Sequence, residues 1–302
     1  MQQKLLQSVQ QTDFRSVARA ISLIENETPG YAGWLQTIPA GHAAVIGITG
    51  PPGAGKSTLT DGLIEELLEQ KNKIAVLCVD PSSPFNRGAL LGDRIRMSRW
   101  YTHPAVFIRS LASRGSVGGL HPKIIEITDL LQAASFDYII IETVGVGQSE
   151  IEIAALADVT VVVLVPEAGD EIQTMKAGLM EIADVFVVNK SDRPDADAFV
   201  NNLKLMLAPA FGKKEHELPV VKTVASQNKG VHELYEKIKQ VIQGVKTSDK
   251  KYWLLAEKAY QLIQNGRMKD VLREELLNEI KKQYRQPDFN IYKFAQSYDR
   301  SL

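Results

Sequence analysis

The stretch GITGPPGAGKSTL, Gly47 to Leu59, decides how the rest of the chain is read. From Gly50 to Ser57 it follows the spacing G-x-x-x-x-G-K-[ST], directly after an apolar run and directly before a helical pattern. Glycines at 50, 53 and 55 let successive backbone N–H groups converge on phosphate oxygens where a Cβ would obstruct them. The residues expected to wrap the phosphates are Gly50, Pro51, Pro52, Gly53, Ala54, Gly55, Lys56, Ser57 and Thr58. A helix starting near Lys56 adds the positive end of its dipole. Lys56 brings a point charge to the terminal phosphates, and Ser57 offers a hydroxyl to Mg²⁺. The bland alternative is a glycine turn with an incidental Lys-Ser pair. The flanking strand and helix argue against it.

Working outward, short apolar runs alternate with helical segments: Ala43–Thr49, Ile74–Val79, Tyr138–Glu142, Val159–Val165, Val185–Asn189 and Val220–Val224. Near-continuous apolar strands separated by helices predict an α/β fold, a P-loop NTPase whose mostly parallel sheet is covered by helices on both faces. Residues 1–40 form an N-terminal helical extension in this reading, 41–245 the P-loop domain and 246–302 a C-terminal helical arm. Phe14, Val17, Ala18, Ile21 and Ile24 recur at helical spacing in the lead-in. In the arm, Ser248 can cap a helix carrying Leu254, Leu255, Ala259, Leu262 and Ile263. A second segment carries Val271, Leu272, Leu276, Leu277 and Ile280. The pattern alone leaves two partners open for the arm, its own domain or a second copy.

Composition narrows the function. Among 302 residues, 35 basic and 36 acidic side chains leave a net charge of −1, so no global field recruits nucleic acid or an anionic membrane. The one cysteine, Cys78, sits in the apolar run IAVLCVD, which excludes an internal disulfide framework. MQQKLLQSVQ at the N-terminus lacks a secretory h-region, and the run Val159–Val165 is only strand length. The expectation is a cytoplasmic protein without membrane or nucleic-acid partners.

Magnesium held by a hydroxyl and phosphates still needs carboxylates, often through retained waters. Asp80 ends IAVLCVD, Asp93 follows in GALLGDRIRM, and Glu142 ends DYIIIE; strand-end acids of an open α/β sheet face its ligand crevice. For Asp93 a plain surface acid is the competing reading. VFVVNKSD, Val185–Asp192, is a strand ending in N-K-x-D. Asp192 can accept from guanine N1–H and N2–H₂, a donor pair adenine lacks, while Asn189 and the Lys190 stem shape the pocket. Ala225 and Ser226, on the following strand-end loop, are placed to meet guanine O6. The expected nucleotide is GTP, with GDP as product.

The set GPPGAGKS, VDPSSP, LGDRIRM, ETVGVGQSE, GDEIQTMKAGLMEIAD and NKSD resembles the methylmalonyl-CoA mutase-associated GTPases, also known as ArgK-type transport kinases. The resemblance runs from about residue 5 into the C-terminal arm. It implies a homodimeric GTP-hydrolysing chaperone that gates adenosylcobalamin delivery to an acyl-CoA mutase and helps protect or reactivate it. Lys56 and Ser57 match the family's phosphate and magnesium positions; Asp80, Asp93 and Glu142 match its acids around the metal; Asn189, Lys190 and Asp192 match its guanine-reading positions. Its mobile segments correspond to Pro81–Arg99, Thr143–Ile153 and Gly169–Met180, and the C-terminal helices to its dimerisation arm.

Phosphoryl transfer needs γ-phosphate charge neutralised, a positioned water and often a cation from outside the P-loop. Arg94, Arg96 and Arg99 are candidates for that cation, as are Lys176 and Gln173 from the third segment; for each a solvated surface position competes. The Gly145 N–H is suited to sense the γ-phosphate, whereas Gln148 is a weak analogue of a water-orienting glutamine. Two other functions compete with GTP hydrolysis for a mutase. A metal-insertion GTPase of the hydrogenase or urease type needs transfer ligands, and five scattered histidines with one cysteine form no such cluster. A kinase of a transport component needs an acceptor pocket and a base.

Overall fold

The structure is a computed structural model. It describes all residues except 1, 81–96, 113–119, 144–148, 169–181, 212–217, 245–248, 269–270, 272, 285–288 and 299–302. The chain divides into two compact units, Met1–Lys250 and Lys251–Leu302.

In the first unit, seven parallel strands form one sheet: β1 Ala44–Thr49, β2 Ile74–Asp80, β3 Val106–Ala112, β4 Tyr138–Thr143, β5 Val159–Leu164, β6 Val185–Val188 and β7 Val220–Lys222. Their order is β3-β2-β4-β1-β5-β6-β7. This is the parallel sheet expected from the apolar runs. One strand, β3, is not among those runs. Its sequence VFIRSLA is interrupted by Arg109 and Ser110, which an edge strand tolerates because it lacks a neighbour on one side. Arg109 also has a partner far away in sequence: its Nη2 pairs with Glu25 at 2.5 Å and donates to Ser22 Oγ at 3.2 Å. The last apolar run is shorter than expected, because β7 stops at Lys222 and Ala225–Gln227 forms a 3₁₀ turn.

An aspartate precedes each of β4, β5 and β6 and stitches the amino ends of neighbouring segments. Asp137 accepts from the Lys73 N–H at 2.6 Å, Asp158 from Val45 N–H at 2.8 Å, and Asp184 from Thr160 N–H at 2.8 Å. These bonds satisfy strand-start donors that the ladder leaves over.

Helices α1 Gln2–Gln10, α2 Phe14–Glu25 and α3 Tyr31–Leu35 make up the lead-in. Asp13 caps α2 by accepting from Ser16 N–H at 2.9 Å, and Val17, Ala20, Ile21 and Ile24 are buried at the expected helical spacing. Phe14 packs edge-on against Phe107 of β3 with centroids 5.6 Å apart, and stacks on Phe136 at 6.1 Å. The sheet is covered further by α4 Lys56–Glu69, α5 Ile124–Ala133, α6 Ser149–Leu156, α7 Ala196–Phe211 and α8 Val231–Gly244. Leu59, Leu63, Ile64 and Leu67 of α4 are fully buried in a core shared with Leu234, Tyr235 and Ile238 of α8 and with β1, β2, β5 and β6. No helix among the described residues is long and apolar enough to cross a membrane.

The second unit carries most of α9 Asp249–Arg267, with α10 Arg273–Gln283 and α11 Ile291–Tyr298. Phe289 meets Tyr284 edge-on at 5.6 Å and Phe294 at 6.2 Å. Along α9, Trp253, Leu255, Tyr260, Leu262 and Ile263 are exposed.

Because α4 positions the phosphate loop, its core packing is directly testable. Leu63→Ala is expected to lower stability by about 2–5 kcal/mol through the cavity it leaves. A urea-denaturation midpoint indistinguishable from wild type would show that α4 is not held as described.

Candidate functional site

β1 runs straight into Gly50, and the chain leaves the sheet there at φ 140°. A Cβ at this position would stand 2.1 Å from the Val163 carbonyl oxygen on β5, so the loop passes where only glycine fits. At the far end of the loop, Gly55 at φ 88° forms the N-cap of α4. Lys56, 7 % exposed, lies across the loop it follows and donates to the carbonyls of Gly50 at 2.7 Å and Pro51 at 3.0 Å. A buried ammonium needs such partners. Its position brings positive charge to the centre of the backbone cradle.

One turn of α4 supplies two hydroxyls to the acid at the end of β4. Ser57 Oγ donates to Glu142 Oε1 at 2.6 Å, and Thr60 Oγ1 is 3.1 Å from Oε2. Thr60 Oγ1 also lies 2.9 Å from the Lys56 carbonyl, so its single proton serves either acceptor. Beside them Thr143 donates to Thr49 across β4 and β1 at 2.9 Å. Glu142 is 6 % exposed, and its length lets a β4 residue reach the first turn of α4. The oxygen-only donor set of Ser57 and Glu142 fits a hard divalent cation such as Mg²⁺. Among the described residues no group of three or more His, Cys, Asp or Glu could hold a metal by itself.

The loop after β6 docks on the phosphate loop through two consecutive carbonyls. Asn189 Nδ2 donates to Ala54 O at 2.9 Å, and Lys190 Nζ donates to Gly53 O at 2.8 Å from a residue with φ 56°. The other half of the Asn189 carboxamide accepts from Thr223 Oγ1 at 3.0 Å and from the Ala225 N–H at 3.1 Å. Three chain segments therefore meet on one buried side chain, 3 % exposed. Asp192 and Ser226 are exposed, and Ser191 N–H donates to Thr223 O at 3.0 Å to hold the two loops together.

The structure thus places Gly50–Thr58, Glu142, Asn189, Lys190, Asp192, Ala225 and Ser226 at the carboxyl ends of β1, β4, β6 and β7. Asp93, Arg96, Gly145 and Lys176 lie outside the described residues, as do Arg94, Gln148 and Gln173. Asp80 is the last residue of β2, and its side chain is also outside them. Arg99 is not over the phosphate loop. It pairs with Asp61 at 2.7 Å and Glu65 at 3.1 Å on the side of α4. Sequence reasoning missed Thr60 and Thr223. Thr60 was findable, since a hydroxyl three residues after Ser57 falls on the same helical face; Thr223 has no local signal.

The sequence matches the family described as Methylmalonyl Co-A mutase-associated GTPase MeaB over residues 17–284. The chain belongs to this family. It is a P-loop GTPase that binds GTP and GDP. A protein of Pyrococcus abyssi (strain GE5 / Orsay), named as a GTPase, is 45% identical over 284 residues, covering 92% of this chain and 82% of that one. The fused isobutyryl-CoA mutase of Geobacillus kaustophilus (strain HTA426) is 38% identical over 232 residues, 71% of this chain but 21% of that longer protein. Among solved structures, an LAO/AO transport system kinase superposes with a TM-score of 0.66 at 25% identity, covering 98% of this chain and 96% of that one.

In this GTPase a Cβ on Gly55 would stand 2.4 Å from the Asn189 amide nitrogen. Gly55→Ala is expected to displace Asn189 and strain the turn, costing about 1–3 kcal/mol of stability and most of the GDP affinity. Calorimetric titration with GDP checks this; wild-type affinity would mean that the Gly55–Asn189 approach does not matter.

Proposed function

We propose that this chain is a GTP-driven chaperone for an adenosylcobalamin-dependent acyl-CoA mutase, gating cofactor delivery and assisting protection or reactivation. The observation that carries this reading is the fused isobutyryl-CoA mutase: a segment similar to most of this chain is covalently joined there to a mutase. Fusion puts two activities at a high effective concentration, which is useful only if they act on one another. The working compartment in this reading is the cytoplasm. A homodimer is part of the proposal, supported by the exposed apolar side chains Trp253, Leu255, Leu262 and Ile263 on α9.

In the proposed site, the backbone of Gly50–Thr58 holds the phosphates, and Lys56 neutralises charge on the terminal ones. Ser57, Glu142, Asp80 and Asp93 would hold Mg²⁺, directly or through water, and the ion would supply positive charge to the phosphates. Asp192 accepts from guanine N1–H and N2–H₂, and the Ala225–Ser226 turn meets O6. Gly145 reports the γ-phosphate through its N–H. Arg96 and Lys176 are the proposed supplementary cations, brought into place by the mutase. The third segment around Gly169–Met180 is assigned to that contact.

Hydrolysis by the free chain is then slow because those groups are not all in position. A cation supplied on partner contact is worth roughly 10³ to 10⁵ in rate. Single-turnover hydrolysis with and without isobutyryl-CoA or methylmalonyl-CoA mutase tests the proposal. The expected result is faster release of inorganic phosphate with the cognate mutase. Equal rates with every mutase tried would sink the partner assignment, and phosphate transferred to a protein rather than released would favour a kinase.

A further inference from the structure

The outward side of α4 carries two carboxylates one turn apart, Asp61 and Glu65. Asp61 accepts from Arg99 Nε at 3.0 Å and from the Trp100 indole N–H at 2.6 Å, and the Arg99 guanidinium lies 4.3 Å from the Trp100 ring centroid. Glu65 does something different. Its Oε2 accepts from Arg99 Nη2 at 3.1 Å and also from Asn228 Nδ2 at 2.8 Å. One oxygen atom of α4 thus joins two segments of chain far apart in sequence.

Asn228 is placed for this role. At φ 53° it is the C-cap of the Ala225–Gln227 turn, whose Ala225 N–H is held at the other end by Asn189. The turn is closed by Val224 and Lys229, which exchange backbone hydrogen bonds at 3.0 and 3.3 Å. Gly62 lets it approach α4, since a Cβ there would stand 2.9 Å from Asn228 Oδ1. The turn is therefore tied to the phosphate loop through Asn189 and to the helix behind that loop through Glu65.

We infer that Glu65 is a positioning residue for guanine recognition, fixing the Ala225–Asn228 turn through Asn228 and coupling that turn to Arg99 through the same oxygen. This rests on the proposal that the turn faces the base. The Asn228 hydrogen bond, opposed by desolvation and aided by Arg99, holds the Glu65 carboxyl below its ordinary range, so it is charged at neutral pH. Arg99 and Glu65 are 45 % and 39 % exposed, and a half-exposed ion pair contributes little to global stability. Its consequence is local. The oxygen that Arg99 holds is the one that Asn228 reaches.

The test is stopped-flow release of a fluorescent GDP from the full chain. Asn228→Gly keeps the left-handed backbone without strain and removes only the amide. Glu65→Ala and Asn228→Gly should each release GDP roughly three- to tenfold faster, the range of one lost hydrogen bond. Glu65→Gln keeps an acceptor and should stay within about twofold. Arg99→Ala should speed release about two- to fivefold in the wild type, in line with an exposed ion pair, and add nothing in the Asn228→Gly background. That non-additivity is the signature of a shared oxygen, which separate structural roles would not produce. Independent multiplication of the Arg99→Ala and Asn228→Gly effects, or unchanged release from Glu65→Ala in a guanine-selective chain, overturns the inference alone. A wild type that releases GDP and ADP alike overturns the base-site reading, and the inference with it.

Discussion

The carboxamide of Asn189 is the joint on which the site depends. Its amide nitrogen donates to Ala54 O, and its oxygen accepts from Thr223 and from the Ala225 backbone. No other side chain of this length offers a donor on one side and a two-fold acceptor on the other. Aspartate would set its carboxylate against the Ala54 carbonyl, and alanine would leave buried groups unpaired, at about 1–3 kcal/mol each. Low exposure strengthens every bond in such a network and raises the cost of losing one. The phosphate loop and the loops after β6 and β7 are thereby held as one piece.

Around that joint the rest of the chain reads as support. β1 delivers the loop through the glycine gap against Val163, and α4 starts with Lys56 and Ser57 and buries Leu59, Leu63 and Leu67. Glu142 arrives from β4, adjacent to β1 in the sheet, and is held by hydroxyls of α4. Asp61 and Glu65 of α4 hold Arg99, Trp100 and Asn228. One helix thus touches the proposed phosphate, metal and base positions, which makes it the natural place for nucleotide state to be felt elsewhere in the chain.

Much of this is legible in the residues alone, for a definite reason. The phosphate loop and the N-K-x-D strand end declare themselves through spacing within a few residues, and buried parallel strands are apolar runs whatever their neighbours. The features that escape a reading of the sequence depend on contacts distant along the chain. β3 reads as broken because Arg109 finds Glu25 only after α2 folds beside it. The lead-in reads as helical, but α1 is not separable from α2 by pattern, because its few apolar residues, Leu6 and Val9 among them, are buried only by the packing of the lead-in. Arg99 reads as available to the phosphates because nothing in the sequence reveals that Asp61 and Glu65 face it. Thr60 is intermediate: its helical phase is visible, but its acceptor on β4 is not.

Asn189 also offers the most direct measurement, because the account makes it structural to the phosphate loop as well as to the base side. Inorganic tripolyphosphate has no base, so a residue serving only guanine recognition could not affect its binding. Competition of tripolyphosphate against fluorescent GDP, compared between wild type and Asn189→Ala with folding verified by circular dichroism, separates the two roles. Tripolyphosphate binding should weaken by roughly tenfold or more, as at least one buried bond to the loop is lost. Unchanged tripolyphosphate affinity in a folded Asn189→Ala chain that has lost only GDP would contradict a role for Asn189 in the phosphate loop.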